Sequence, residues 1–228
     1  MTSAAGEQTL VVVAYFSAFR GSTAAVAEAV ARGARTVPDT RVVVMNVDDV
    51  DDHWGDLHDA DAIIFGSPTY VGAVAAGFKQ FIERLAGQVW VERRFVNKVG
   101  SAFTVGSGRS GDKLNCLMDM VIFGAQMGMI WVPVRVTGGN YSSTGSEDDL
   151  NRVGAYLGVM AQANIDEVPP DAPPASDIAT AEMHGQHVAV IAGQLRAGKR
   201  IQPAPYEEFG EWDGAVPRSL LDSGLDAL

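Results

Sequence analysis

The feature that most constrains this chain is a charge-free, β-branched and aromatic run at residues 9–16, TLVVVAYF. A run that is apolar on both alternating sets belongs in a strand buried on both faces, which calls for a parallel sheet with helices on either side. Residues 22–35 follow at once and are Ala-rich, with Val26 and Val30 four apart. Strand, tight loop and helix make the first half of a βαβ unit.

The alternation repeats along the chain. Apolar runs at 42–47 and 62–66 read as parallel strands, the second running into Ser67, Pro68 and Thr69. Over 74–85 the residues Val74, Phe78, Phe81, Ile82 and Leu85 keep helical spacing, with Lys79, Glu83 and Arg84 on the opposite face. Residues 98–105 read as a fourth strand, 112–127 as a helix, and 129–136 as a fifth strand in which Pro133 indicates a late or edge position. Right-handed crossovers between such elements give a doubly wound five-stranded parallel sheet in a three-layer α/β/α arrangement.

One domain over residues 1–200 accounts for this pattern, interrupted by a long excursion at about 138–176 that is rich in Gly, Ser, Asn, Asp and Pro. Within it, 150–163 has a composition compatible with a helix, weakened by Gly154 and Gly158. Ser176 and Asp177 open a capped last helix to about residue 195. The 201–228 tail carries Pro203, Pro205, Tyr206, Phe209 and Trp212, which suits packing on the domain or on a neighbouring subunit.

Composition excludes several functions. A net charge of −11 opposes binding to a nucleic-acid backbone, which needs clustered cations. No apolar run is long enough to span a membrane and the first ten residues lack a secretory pattern, so the expected location is cytoplasmic. The single cysteine, Cys116, forms no internal disulfide and has no metal-ligand spacing around it, so it reads as a small apolar helix residue. His53 and His58 lie in an acidic loop and read as solvated, while His184 and His187 share a turn of the last helix and read as surface or capping residues. No metal site is expected.

Three loops at the ends of successive strands carry the chemistry. Ser17, Ala18, Phe19, Arg20, Gly21, Ser22 and Thr23 stand where the first strand meets the first helix, so hydroxyls, free amides, the helix dipole and an arginine converge on one anion. The loop lacks both the Lys-Ser/Thr ending of a Walker nucleotide loop and the three-glycine dinucleotide fingerprint, which makes a single terminal phosphate the better candidate, with an ordinary helix cap as the alternative for this motif taken alone. Gly66, Ser67, Pro68, Thr69, Tyr70, Val71 and Gly72 follow the third strand and suit a flat ring approached by backbone. Thr104, Val105, Gly106, Ser107, Gly108, Arg109, Ser110 and Gly111 follow the fourth and add small residues and backbone donors. Together they form a crevice at the carboxyl edge, where open α/β sheets bind ligands.

At this point the chain resembles the flavodoxin-like FMN proteins, and among them the NAD(P)H-dependent flavin and quinone reductases related to the tryptophan-repressor-binding-protein type. The resemblance rests on S-x-F-x-G-S-T at 17–23, F-G-S-P-T-Y-V-G at 65–72, S-G-D-K at 110–113 and N-Y-S-S-T-G-S-E-D-D-L-N-R at 140–152. It implies that Ser17, Phe19, Arg20, Gly21, Ser22 and Thr23 surround the FMN phosphate. Pro68, Thr69, Tyr70, Val71 and Gly72 would line the isoalloxazine, and Thr104, Val105, Gly106, Ser107, Gly108 and Arg109 would border its pyrimidine side and ribityl chain. The chain departs from that type in having Tyr70 where an Arg is common.

The implied activity is ping-pong electron transfer from NAD(P)H through FMN to a quinone or similar flat acceptor. The flavin carries the hydride at N5, so no catalytic side chain is required. Tyr70 would stack on substrate, Trp131 would pack inside, and the resemblance suggests a homodimer or homotetramer. A flavodoxin-type electron carrier and a reductase supplying reduced FMN to a monooxygenase stand as alternatives.

Overall fold

The computed structural model describes residues 8–17 and 20–201; Phe19 and the tail from residue 202 lie outside the described residues. The chain order is β1 (Thr9–Tyr15), α1 (Ser22–Arg35), β2 (Thr40–Asn46), a 3-10 turn (Val47–Asp52), α2 (Trp54–Asp59), β3 (Ala62–Tyr70), β4 (Ala73–Val74), α3 (Ala76–Val91), β5 (Val99–Gly106), α4 (Lys113–Gln126), β6 (Ile130–Trp131), β7 (Val159–Gln162) and α5 (Ala175–Ile201). The sheet runs β2-β1-β3-β5, and its fifth position is shared by β6 and β7, both parallel to β5. The only departure from parallel pairing among the described strands is β4, which folds back antiparallel on the end of β3. This is the doubly wound flavodoxin-like order, with its switch point between β1 and β3.

The period of the strands divides their side chains between two cores. Val11 and Val13 of β1, Ile64 of β3, and Phe103 and Val105 of β5 face α1 and α5. Leu10, Val12 and Ala14, with Ile63, Phe65 and Ala102, face α3 and α4 through Phe78, Phe81, Leu85, Leu117 and Phe123. Alternate residues pointing to opposite faces produce this division, and it explains why the central strands β1, β3 and β5 carry no charges, whereas edge strand β2 carries exposed Arg41. On the first face the two helices touch backbone to backbone: a Cβ built at Gly185 would lie 1.9 Å from the Val30 carbonyl oxygen, and one at Gly33 would lie 1.7 Å from that of Glu182. Alanines on both helices complete this close approach.

The fifth sheet position departs from the sequence reading. The run at 129–136 was expected to be one strand, but only Ile130–Trp131 pairs with Val99 and Gly100. Val132 still donates to the Gly100 carbonyl at 2.8 Å, after which Pro133 has no N–H to offer and Val134 donates to Tyr156 instead. Val132 and Val134 remain buried, so the apolar pattern is satisfied without a ladder. The vacant upper half of the position is filled by β7, whose Val159 and Gln162 pair with Phe103 and Gly106. The stretch 150–163 is therefore not a helix; it ends in a strand that lies inside the expected excursion. The last helix was expected to run to about 195 and extends to Ile201.

Between β6 and β7 the chain is held by side chains in place of ladder bonds. Asn151 bonds the Val136 and Ala155 carbonyls and the Ala155 amide, and its own amide donates to Thr180 on α5. Arg152 forms a two-pronged ion pair with Asp177 of α5, at 2.8 and 2.9 Å, with both side chains nearly fully buried. The same guanidinium reaches Glu147 at 2.5 Å and the Gln162 side chain at 3.2 Å, while Asp177 accepts from the Gln162 amide at 2.8 Å. Among the described residues, no buried side-chain nitrogen or oxygen of this inlet is left without a partner, as buried polar groups require.

Candidate functional site

The carboxyl ends of β1, β3, β5 and β7 enclose a cavity of 420 Å³, within the usual range for a small-molecule site. It brings together Ser17, Arg20, Gly21, Ser22 and Thr23 from the first loop, Pro68, Thr69 and Tyr70 from the second, and Val105, Gly106 and Ser107 from the third. Ala163, Asn164 and Ile165, which follow β7, close its remaining side. Sequence reasoning missed these three because β7 itself was read as part of a loop or helix.

At one end, the start of α1 lines the cavity with Gly21, Ser22 and Thr23. Gly21 is the residue before the helix and sits at φ 76°, a left-handed conformation that an L side chain would strain. Gly21 has no side chain with which to cap the helix, and no acidic residue occupies its first turn. A helix entrance that leaves its first amides to a ligand, flanked by Ser22, a buried Thr23 and the Arg20 guanidinium, suits a phosphate.

At the other end, residues 70–73 form a two-residue hairpin between β3 and β4. Val71 and Gly72 both have positive φ, 51° and 79°, the geometry of a type I′ turn. Glycine is at home there, whereas β-branched Val71 is strained and fully exposed. The turn is tied down by Asn115 of α4, whose side-chain amide donates to the Gly72 carbonyl at 2.8 Å. Tyr70, 47% exposed, stands at the rim. Val71 and Gly72 lie outside the cavity lining.

The third loop is held from beneath by Lys113. This side chain is fully buried, and its ammonium donates to the Gly108 carbonyl and, at 3.0 Å, to that of Arg109. Burial pushes its pKa down to about 8, opposed by the Asp177 carboxylate. Gln162 donates to the Ser107 carbonyl at 3.1 Å, so three successive carbonyls of the loop are engaged by side chains. Gly108 and Arg109 turn away from the cavity. Arg109 pairs with Glu147 at 2.5 Å and lines a neighbouring groove of 660 Å³ with Leu114, Met118 and Met160.

Thr104 is fully buried behind the cavity, where its hydroxyl meets Thr69 Oγ1 at 2.7 Å, the Ser67 carbonyl at 2.7 Å and Cys116 Sγ at 3.3 Å. Cys116 is a buried helix residue, as its sequence setting suggested, and burial pushes its thiol pKa up. The histidines need correction. His184 is completely buried beneath the sheet, 2.7 Å from Ser101 Oγ, and burial together with neighbouring His187 brings its pKa to about 3. His58 has a buried ring nitrogen, and His53 pairs with Asp56 at 3.0 Å, so neither is simply solvated. Trp131 packs against the core and donates to the Leu157 carbonyl.

A sheet of this order, whose strand ends and first helix entrance line one crevice, is the architecture of a mononucleotide-binding α/β protein. The chain belongs to the NADPH-dependent FMN reductase family, whose model matches residues 11–143. It is similar to flavodoxin FldP of Pseudomonas aeruginosa, at 34% identity over 82% of this chain and 98% of that protein. It is similar as well to an NAD(P)H dehydrogenase (quinone) of Paracoccus denitrificans, at 34% identity over 78% of this chain and 80% of that one. Among solved structures, a WrbA-like flavodoxin from Agrobacterium tumefaciens superposes with a TM-score of 0.62 at 31% identity, covering 82% of this chain and 99% of that chain. The protein is an FMN-dependent oxidoreductase with NAD(P)H as substrate. Among the described residues, no helix is long and apolar enough to cross a membrane.

Proposed function

We propose that this protein is an NAD(P)H:quinone oxidoreductase that holds FMN in the 420 Å³ cavity. The observation that carries this reading is the convergence of the α1 entrance and the 68–70 and 105–107 segments on one crevice. Ser17, Ser22, Thr23 and the first amides of α1 bind the phosphate, and Arg20 balances its charge. Pro68, Thr69 and Tyr70 orient the ring, while Val105, Gly106 and Ser107 take its polar edge. Bound FMN supplies hydride chemistry at N5. The chain's own task is to fix the ring and keep one face open, and half-exposed Tyr70 offers an aromatic surface on which a nicotinamide and then a quinone can stack in turn.

Two finer statements accompany this reading. The enzyme acts in the cytoplasm, and it assembles as a homodimer or homotetramer through α4, whose Leu114, Met118 and Ile122 form an exposed apolar stripe at four-residue spacing. Light scattering on the purified protein checks the assembly.

The catalytic reading is tested by anaerobic titration of the FMN-loaded protein with NADPH and NADH, followed by a benzoquinone. Full two-electron bleaching and rapid reoxidation by the quinone are expected. A second reading, a flavodoxin-type carrier of single electrons, is favoured by the likeness to FldP over nearly the whole of that protein. Bound flavin that neither nicotinamide reduces, but that dithionite takes through a stable one-electron form, would establish the carrier instead.

A further inference from the structure

We infer that Thr69 presents a lone pair and no proton to the flavin, and so favours the reduced cofactor. The inference rests on FMN occupying the cavity proposed above. It follows from counting hydroxyl protons along a short buried chain. Thr104 has one proton, and three atoms compete for it: the Ser67 carbonyl oxygen at 2.7 Å, Thr69 Oγ1 at 2.7 Å and Cys116 Sγ at 3.3 Å. A carbonyl can only accept, and two oxygens at 2.7 Å with no proton between them would repel, so the proton of Thr104 lies toward Ser67. The thiol is more distant and a weaker acceptor.

The contact between the two threonines must then be made with the proton of Thr69. Thr104 is completely buried, so no solvent can relieve this order. Thr69 lines the cavity and has spent its only proton inward, which leaves it purely an acceptor toward the ligand. Thr104 acts through Thr69 as a positioning residue.

The flavin changes its donor inventory on reduction. The oxidised ring edge offers acceptors at N1, O2, O4 and N5 and a single donor at N3. Two-electron reduction adds an N–H at N5. An acceptor in the wall that meets N5 therefore gains a partner on reduction, as Thr69 would where the ring edge lies against it, whereas a hydroxyl free to rotate would serve both states. Ordinary hydroxyl recognition has that freedom, and the buried Thr104 removes it here.

The test measures FMN dissociation constants in both oxidation states and the two-electron midpoint potential for the Thr69→Val, Thr69→Ser, Thr104→Val and Thr104→Ser variants. Thr69→Val is expected to weaken reduced FMN about tenfold more than oxidised FMN, a midpoint about 30 mV more negative. Thr69→Ser keeps the wild-type potential. Thr104→Val, which returns the proton of Thr69 to the cavity, moves the potential in the same direction, and Thr104→Ser restores it. Equal weakening of both oxidation states in Thr69→Val, or a more positive potential, overturns the inference while leaving FMN binding intact. Failure of the wild-type protein to bind FMN overturns the proposed site itself. Should Thr69→Val not fold, the Thr104 pair decides the matter alone, because a potential equal in Thr104→Val and Thr104→Ser overturns the inference.

Discussion

The two sides of the sheet are built by different physics. From β2 through β1 to β3, continuous ladders run residue against residue from Thr9 opposite Thr40 to Tyr15 opposite Gly66, and the apolar faces on either side do the rest. At the far side, the fifth sheet position is assembled from two short strands separated by residues 132–158. There Arg152, Asp177, Asn151 and Gln162 supply the order that a continuous ladder would have given. A regular edge can be specified by hydrophobic patterning alone, but an interrupted one needs a directional polar network, because its backbone groups must find partners at particular angles.

The largest break in this comparison is expected at the network. Asp177→Ala strands the buried Arg152 guanidinium and takes an acceptor from the Gln162 amide. A loss of about 3–5 kcal/mol in urea denaturation is expected. Replacing both partners, as Arg152→Met with Asp177→Leu, should recover most of that loss, since apolar pairs of similar volume commonly match buried ion pairs. A double variant no better than the single one would mean that the network holds the inlet through more than its charges.

On the apolar side a sharp single change is Gly185→Ala, which forces α5 off the Val30 carbonyl. Overpacking of this kind costs about 1–3 kcal/mol, and a lowered denaturation midpoint with an unchanged slope checks it.

His184 ties the apolar side to pH. Its pKa is lowered to about 3 in the folded chain, below the ordinary 6.5, so the unfolded chain binds the extra proton. Stability from this residue is present above about pH 6.5 and declines as pH falls toward 3, by up to about 1.4 kcal/mol per pH unit. His184→Leu should flatten that slope between pH 6.5 and 5, read from denaturation midpoints; an unchanged slope would assign acid sensitivity elsewhere.

The smallest effect on stability is expected at Lys113→Met, which removes a buried ammonium together with its two carbonyl contacts. Global stability should change by no more than about 1 kcal/mol, because the lost hydrogen bonds are offset by relief of the buried charge. FMN affinity should fall by about tenfold as the 107–109 segment loses its support, measured by fluorescence quenching.

The site was more legible than the inlet that supports it. Ser17, Gly21 and Thr23, or Pro68 and Thr69, follow their strands within a few residues, so chain order alone delivers them to the carboxyl edge. Gly108 and Arg109 were read as part of the same crevice, yet Arg109 turns to Glu147, a partner 38 positions away that no local pattern reveals. His184 looked like a surface residue on a helix face, and only the packing of α5 against β5 put it beside Ser101.

What the sequence determined by itself was the set of elements whose signals are local and periodic: the parallel strands, the helices covering them and the loops at their ends. Those signals arise because each residue's burial follows from its position within one strand or helix. The tertiary structure alone decided how the fifth position would be filled. Residues 129–136 and 159–162 competed for the same edge of β5, and the outcome depended on Pro133 ending one ladder and on Asp177, from a distant helix, accepting the Gln162 amide of the other. Energies shared among residues far apart in the chain leave no period in it to read.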